Sequence, residues 1–193
     1  MFEEYLSESK YVDYSNDAVK SMAEKLMKES SNDITLIENT YLFVRDSIKH
    51  SWDAKDHRVT IKASDVLKEG VGICFAKANL LAALLRANGI PCGFSYQKLT
   101  LGDTPDTGYC IHALNTVYVP SHVKWIRLDA RGNNDNVHAE FSLDEEKLAF
   151  EIKSEGEMDF RNNLSEPAAA TMKVLEEATD ALDMYMFKLP TNL

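Results

Sequence analysis

Apolar residues recur at helical spacing along the first part of the chain. Between residues 17 and 29 they share one face, at Val19, Met22, Ala23, Leu26 and Met27. Asn16 or Ser15 can cap this segment, because both side chains accept hydrogen bonds from the free N–H groups of a first turn. The pattern predicts an amphipathic helix.

A second helical pattern extends to about residue 48. Asn32 or Asp33 can cap its start, and its apolar stripe comprises Ile34, Ile37, Tyr41, Val44 and Ile48. A charged loop follows at residues 53–58, and Ser64 can cap a short helical turn beyond it.

The middle of the chain has the composition and alternation that are typical of strands. Three segments show them, residues 90–99, 109–119 and 124–130, and turn-forming residues separate them. Residues 140–160 are less regular, and we expect one more strand and an acidic loop there. Consecutive strands with short connections favour an antiparallel sheet.

A long C-terminal helix is predicted to begin at Pro167. Its inward face would comprise Val174, Leu175, Ala178, Leu182 and Met186. Helices, then an antiparallel sheet, then a closing helix indicate an α+β fold. The length of 193 residues and an apolar content of 45% predict a single domain over residues 1–193.

The charge balance narrows the set of partners. Asp and Glu number 31 against 21 Lys and Arg, so the formal net charge is −10. This excess argues against binding to nucleic acid or to an anionic membrane. The acidic N-terminus lacks the basic and apolar regions of a signal peptide, and no apolar run could span a bilayer. With an odd number of cysteines, three, we expect a soluble cytoplasmic protein.

Cys74 has the surroundings of a reactive thiol. A glycine-containing turn, residues 70–73, precedes it, and a helical pattern over residues 75–88 follows it and stops at Gly89 and Pro91. Cys74 should therefore lie in the first turn of a helix, where free N–H groups and the helix dipole favour the thiolate. We interpret it as a candidate nucleophile.

His112 and Asp129 are candidates for its partners. His112 lies on a predicted strand, on the same face as Cys110 and Leu114. By itself it would more often be a core histidine. Asp129 ends the next strand and by itself would more often form a turn. Their order after Cys74 makes the combination more specific than any one member.

Four segments resemble motifs of the transglutaminase-like, papain-related cysteine enzymes. They are GVGICFAKA at residues 70–78, LLRANGIPC at 84–92, IHA at 111–113 and WIRLDARGN at 125–133. The core motifs would fall within residues 64–133. The chain departs from the family pattern at four positions, Phe75, Leu114, Asn115 and Ala130, none of which is a candidate catalytic residue.

The resemblance implies a papain- or transglutaminase-like fold, in which the helix of the nucleophile packs on the sheet. It also implies a catalytic triad that needs no cofactor or metal. Cys74 would attack an amide carbonyl and form a thioester, His112 would pair with the thiolate and protonate the leaving amine, and Asp129 would orient the imidazole. The implied substrate is a peptide or another amide-containing molecule.

The transition state of such a reaction needs donors for the oxyanion. The backbone N–H of Cys74 is one candidate. The resemblance suggests a second donor in residues 50–52, although Trp52 could equally be a core aromatic residue.

Three alternatives compete with this interpretation. Cys74, Cys92, Cys110 and His112 could bind zinc, but their spacing contains no paired Cys-X-X-Cys pattern. Cys92 and Cys110 could form a disulfide, although two buried thiols are favoured. Finally, the chain could be a catalytically silent binding or interaction module. We favour an enzyme over the silent module because all three candidate triad residues are present in order. We favour hydrolysis over cross-linking because no second-substrate module is evident.

Overall fold

The first two helices form where the apolar pattern predicts them. The structure, a computed structural model, describes residues 2–102 and 104–193; Met1 and Asp103 of the predicted domain lie outside the described residues. Helix α1 comprises Asp17–Lys28 and helix α2 comprises Asp33–Leu42. Asn16 caps α1 by accepting a 3.0 Å hydrogen bond from Ala18 N, and Asn32 caps α2 by accepting one of 2.9 Å from Thr35 N.

The second helix ends earlier than predicted. A π-helical turn, Phe43–Ser47, follows α2, and strand β1 (Lys49–His50) and helix α3 (Ser51–Ala54) come next. The cause lies elsewhere in the chain. The buried amine of Lys77 binds the carbonyl oxygens of Arg45 and Ile48, and Ile48 is extended. The prediction of a helix to residue 48 is therefore wrong over its last turn.

The helix of the candidate nucleophile is the centre of the fold. Helix α4 (Ala63–Glu69) ends at Gly70, which has a φ of +67°, and strand β2 (Val71–Gly72) leads into helix α5 (Cys74–Ala87). Every residue of α5 from Cys74 to Arg86 is buried. Strand β1 pairs in parallel with β2, with His50 opposite Gly72. The β1–β2 pair thus fixes His50 beside the N-terminus of α5.

An antiparallel sheet packs on this helix. It comprises β3 (Cys92–Thr100), β4 (Tyr109–Val119), β5 (Lys124–Leu128) and β6 (Met158–Asp159), in the order β5–β4–β3–β6. The extra strand expected between residues 140 and 160 is therefore present as β6. The core lies between α5 and the sheet, and it includes Leu80, Leu84, Phe94, Ile111 and Val117.

The C-terminal helix is broken, against the prediction. Helix α6 comprises Ala169–Glu177 and helix α7 comprises Ala181–Phe187. Asp180 causes the break, because its carboxylate accepts hydrogen bonds from Leu182 N and Asp183 N and so caps a new helix. The restart changes which side chains face inward. Met184 is buried, whereas Met186 is exposed and its predicted inward orientation is wrong.

None of the helices within residues 2–102 and 104–193 combines the length and the hydropathy needed to cross a bilayer.

Candidate active site

Cys74 is the first residue of α5 and lies at the wall of a cavity of about 410 Å³. We call this cavity the cleft. Its lining includes His50, Cys74, His112, Arg131, Phe150 and Tyr185. Cys74 is 8% exposed, so its thiol is largely shielded from bulk water. The structure brings Cys74, His112 and Asp129 together, since His112 lines the same cleft as Cys74 and Asp129 is bonded to His112.

His112 and Asp129 form a buried pair. His112 Nε2 lies 2.7 Å from Asp129 Oδ2, and both residues are almost fully buried. Asp129 Oδ1 accepts a hydrogen bond of 3.2 Å from Arg131 N, and Oδ2 accepts one of 3.1 Å from Ala149 N. The carboxylate is therefore held by two backbone donors besides the imidazole, which fixes the orientation of the ring.

The pair favours the charged form of both partners. Burial opposes charge on His112, but the Asp129 carboxylate, the nearby Cys74 sulfur and the hydrogen bond to Asp129 raise the pKa of His112 to about 10. Burial likewise opposes charge on Asp129, but His112 and the two backbone N–H donors lower the pKa of that carboxyl overall. At neutral pH the two groups form an imidazolium–carboxylate ion pair.

Phe150 covers the outer side of this pair. Its ring meets the His112 ring edge-on, with centroids 5.1 Å apart, and its carbonyl accepts a 3.3 Å hydrogen bond from Gln97 Nε2. A larger cavity, of about 860 Å³, lies beyond Phe150 and is not lined by Cys74 or His112. The smaller cavity is therefore the one that contains the candidate chemistry.

His50 is a second histidine of the cleft, and its protonation is opposite to that of His112. Burial, and then the charges of Arg131, Lys77 and His112, lower the pKa of His50 well below its usual value. Its Nδ1 atom is buried and has no hydrogen-bond partner among the described residues. His50 is therefore a neutral imidazole at neutral pH, held beside Cys74 by the β1–β2 pairing.

Lys77 lies one turn beyond Cys74 and is completely buried. Its Nζ atom donates to the carbonyl oxygen of Arg45 at 3.2 Å and to that of Ile48. Burial, with a further contribution from Arg131, lowers the pKa of Lys77 to about 7. Lys77 thus connects α5 to the segment that carries His50.

Several functional-site neighbours were missed at the sequence level. Arg131 makes a two-point ion pair with Asp53, with N–O distances of 2.7 and 3.1 Å, at the wall of the cleft. Tyr185 lies on α7, the helix that Asp180 caps, and also lines the cleft. Lys77 did give a signal, since it is the one charged residue in the first half of α5, where only Asn79 is otherwise strongly polar.

The remaining cysteines separate in space. Cys92 is buried in the core opposite Val117, whereas Cys110 lines the cleft and pairs with Leu99 near the other end of the strands. Both thiols are free. The favoured interpretation of Cys92 as a buried thiol is confirmed, and the corresponding interpretation of Cys110 is wrong, because Cys110 is partly exposed in the cleft. Within residues 2–102 and 104–193 no group of three or more His, Cys, Asp or Glu side chains is arranged to hold a metal ion.

Comparisons with known proteins support the fold. A family model described as the transglutaminase-like superfamily matches residues 20–130. Comparison with curated protein sequences gives no match. The chain is similar to the crystal structure of a candidate cysteine protease from Cytophaga hutchinsonii, with a TM-score of 0.54 and 22% identity, over 67% of this chain and 42% of that one.

The chain is also similar to the periplasmic domain of TgpA from Pseudomonas aeruginosa, with a TM-score of 0.49 and 18% identity, over 65% of this chain and 46% of that one. It therefore spans less than half the length of either structure. The family match and the Cytophaga hutchinsonii structure confirm the predicted α+β fold.

Proposed function

The chain belongs to the transglutaminase-like superfamily, and on that premise we propose that it is a cysteine hydrolase of peptide or other amide bonds. The observation that supports this proposal best is the buried His112–Asp129 ion pair at the cleft that Cys74 lines. A buried charge pair is costly to maintain for stability alone. The His112–Asp129 ion pair is explained if it activates the Cys74 thiol, because the imidazolium stabilises the thiolate.

The geometry suggests the route of the proton. Since His112 Nε2 is bonded to Asp129, the proton available to the reaction is the one on Nδ1. The Cys74 thiolate attacks the amide carbonyl carbon, the carbon–nitrogen bond breaks, and the leaving amine takes the Nδ1 proton of His112. Water then adds to the thioester with His112 as the base, which releases the carboxylic acid and regenerates the ion pair.

Two groups are suited to stabilise the oxyanion. The backbone N–H of Cys74, in the first turn of α5, is one of the donors that a helix leaves unpaired. We assign the second donor to His50 Nε2, because His50 lines the cleft and is neutral. We place the imidazole proton on Nε2, because a proton on the buried Nδ1 would find no acceptor among the described residues. His50 lies within residues 50–52, the segment in which the resemblance suggests a second donor, and Trp52 of that segment is stacked on Tyr185.

The reaction needs a reduced thiol. The three free cysteines are compatible with the reducing cytoplasm, which we propose as the location of the protein.

Trapping the acyl intermediate tests the proposal. The protein is incubated with a panel of peptide amides and p-nitroanilides in the presence of hydroxylamine, which converts a thioester into a hydroxamate. Turnover and hydroxamate formation are expected for the parent and for Cys92→Ala, which removes a core thiol, but not for Cys74→Ala. Absence of turnover over the whole panel, with a Cys74 no more reactive than an ordinary thiol, would favour a silent binding module instead.

A further inference from the structure

A segment near the C-terminus crosses the cleft. We call residues 180–190 the strap; they lie outside residues 20–130, the part of the chain that matches the family. The strap includes α7, and two of its side chains, Tyr185 and Leu189, line the cleft together with Cys74. The strap therefore forms part of the wall of the cavity that Cys74 also lines.

One end of the strap is fixed to the loop that follows α3. Asp180 Oδ2 lies 2.7 Å from His57 Nδ1, and Ala181 N donates a 2.9 Å hydrogen bond to the His57 carbonyl oxygen. This loop continues the segment that carries His50. One end of the strap is therefore attached to the part of the chain that follows His50.

The other end is fixed to the strand that carries His112. Ile111 N donates a 2.8 Å hydrogen bond to the carbonyl oxygen of Pro190. Strand β5 pairs with β4 only from Asn115 to Val119, so this part of β4 has no strand on that side among the described residues. An unpaired strand edge is where an extended peptide would add by backbone hydrogen bonding. Here the strap takes the position next to His112.

Between these ends Tyr185 fills the space above His50. Its ring stacks on Trp52, with centroids 4.8 Å apart and an interplanar angle of 16°, and meets the His50 ring edge-on at 5.8 Å. Since His50 Nδ1 has no hydrogen-bond partner among residues 2–102 and 104–193, aromatic packing contributes directly to the orientation of that ring.

We propose that Tyr185 and Leu189 are specificity-determining residues, and that the strap restricts the cleft to compact amide substrates. The inference rests on the proposed function. It follows from two features: the strap occupies the edge of β4 that a long extended peptide would use, and the cleft that remains is small. Its volume of about 410 Å³ is within the range of small-molecule sites, about 300–1,000 Å³.

The size of reagent that reaches Cys74 tests the proposal without knowledge of the substrate. In a Cys110→Ser background, so that Cys74 is the only thiol of the cleft, labelling rates are measured with iodoacetamide and with a bulky fluorescein maleimide. The ratio of the bulky rate to the small rate is compared between the parent, Tyr185→Ala combined with Leu189→Ala, and Tyr185→Phe. The matched control is Phe187→Ala, on the same helix, because Phe187 is 76% exposed.

The ratio should rise by about tenfold in the double variant, equivalent to about 1.4 kcal/mol, and stay unchanged in Tyr185→Phe and Phe187→Ala. Leu189→Ala alone should give a smaller rise and serves if the double variant does not fold, as judged by its melting curve. An unchanged ratio in a folded double variant or in folded Leu189→Ala, or an equal rise in Phe187→Ala, would overturn the proposal.

Failure of the proposed function has a different signature. If iodoacetamide labels Cys74 slowly and His112→Ala does not alter the rate, Cys74 is not activated. The ratio of the two reagents still reports whether the strap restricts access.

Discussion

His112 Nε2 and Asp129 Oδ2 lie 2.7 Å apart, and neither residue is appreciably exposed to solvent. Breaking such a pair on one side leaves a buried charge without its partner, which costs roughly 3–5 kcal/mol. The pair also leaves His112 Nδ1 as the nitrogen that can serve Cys74. One contact therefore connects stability, the protonation of His112 and the proposed chemistry.

Asp129→Asn should lower the pKa of His112. The amide keeps much of the shape of the carboxylate but removes its charge, which together with the hydrogen bond opposes the effect of burial on the ring. The pKa of His112 should fall from about 10 toward or below 6.5. Titration of the histidine ring signals by NMR measures this shift. Glu140→Gln, at an exposed carboxylate, is the control and should leave the titration of His112 unchanged.

Two buried groups should give opposite dependences of stability on pH. The pKa of His112 is raised from 6.5 to about 10, so its stabilisation is complete below pH 6.5 and is lost as the pH rises to about 10. The pKa of Lys77 is lowered from 10.5 to about 7. The unfolded chain therefore holds more protons on Lys77 between these values, and stability from this group increases as the pH rises.

Variants separate the two contributions. Replacing the ion pair by His112→Gln with Asp129→Asn should leave a free energy of unfolding that rises with pH between about 7.5 and 8.5, by up to about 1.4 kcal/mol per pH unit; this interval lies below the ordinary pKa of 9.0 of the buried Cys92 and Cys110 thiols. In Lys77→Met, which keeps the length of the buried side chain, the free energy of unfolding should fall as the pH rises over the same interval. Urea denaturation at three pH values measures both. Slopes of the same sign in the two variants would contradict the assigned protonation states.

His50→Ala should slow turnover without changing the reactivity of Cys74. Loss of one oxyanion donor lowers kcat by about 10²- to 10³-fold, whereas alkylation by iodoacetamide forms no oxyanion. The two rates are measured on the same preparation. A decrease in both turnover and alkylation would indicate that the variant disturbs Cys74 itself. Retention of full turnover would exclude His50 as an oxyanion donor.

Local signals in the sequence were sufficient for much of the fold. Asn16 and Asn32 cap helices α1 and α2, and Gly89, with a φ of +75°, follows the end of α5. These features depend on residues a few positions apart, which a sequence displays directly. The motif order placed Cys74 at the start of a helix and His112 on a strand.

Long-range contacts account for what the sequence did not predict. The early end of α2 depends on Lys77, which is about thirty residues away along the chain. The neutral state of His50 depends on burial and on charges brought together by folding. The break before α7 had a local signal in Asp180, but the helical spacing of apolar residues across it was the stronger pattern. Tyr185, which lines the cleft, lies on the helix that follows that break.

The pH dependence of iodoacetamide labelling at Cys74 tests the central claim most directly. A free thiol, with a pKa of about 8.5, is about 1% thiolate at pH 6.5, so its rate falls by about fiftyfold between pH 8.5 and 6.5. The proposed triad predicts a fall of less than about fivefold in the parent protein. It predicts a steep fall, like that of a free thiol, in His112→Ala and Asp129→Asn. An equally steep fall in all three proteins would show that His112 and Asp129 do not activate Cys74.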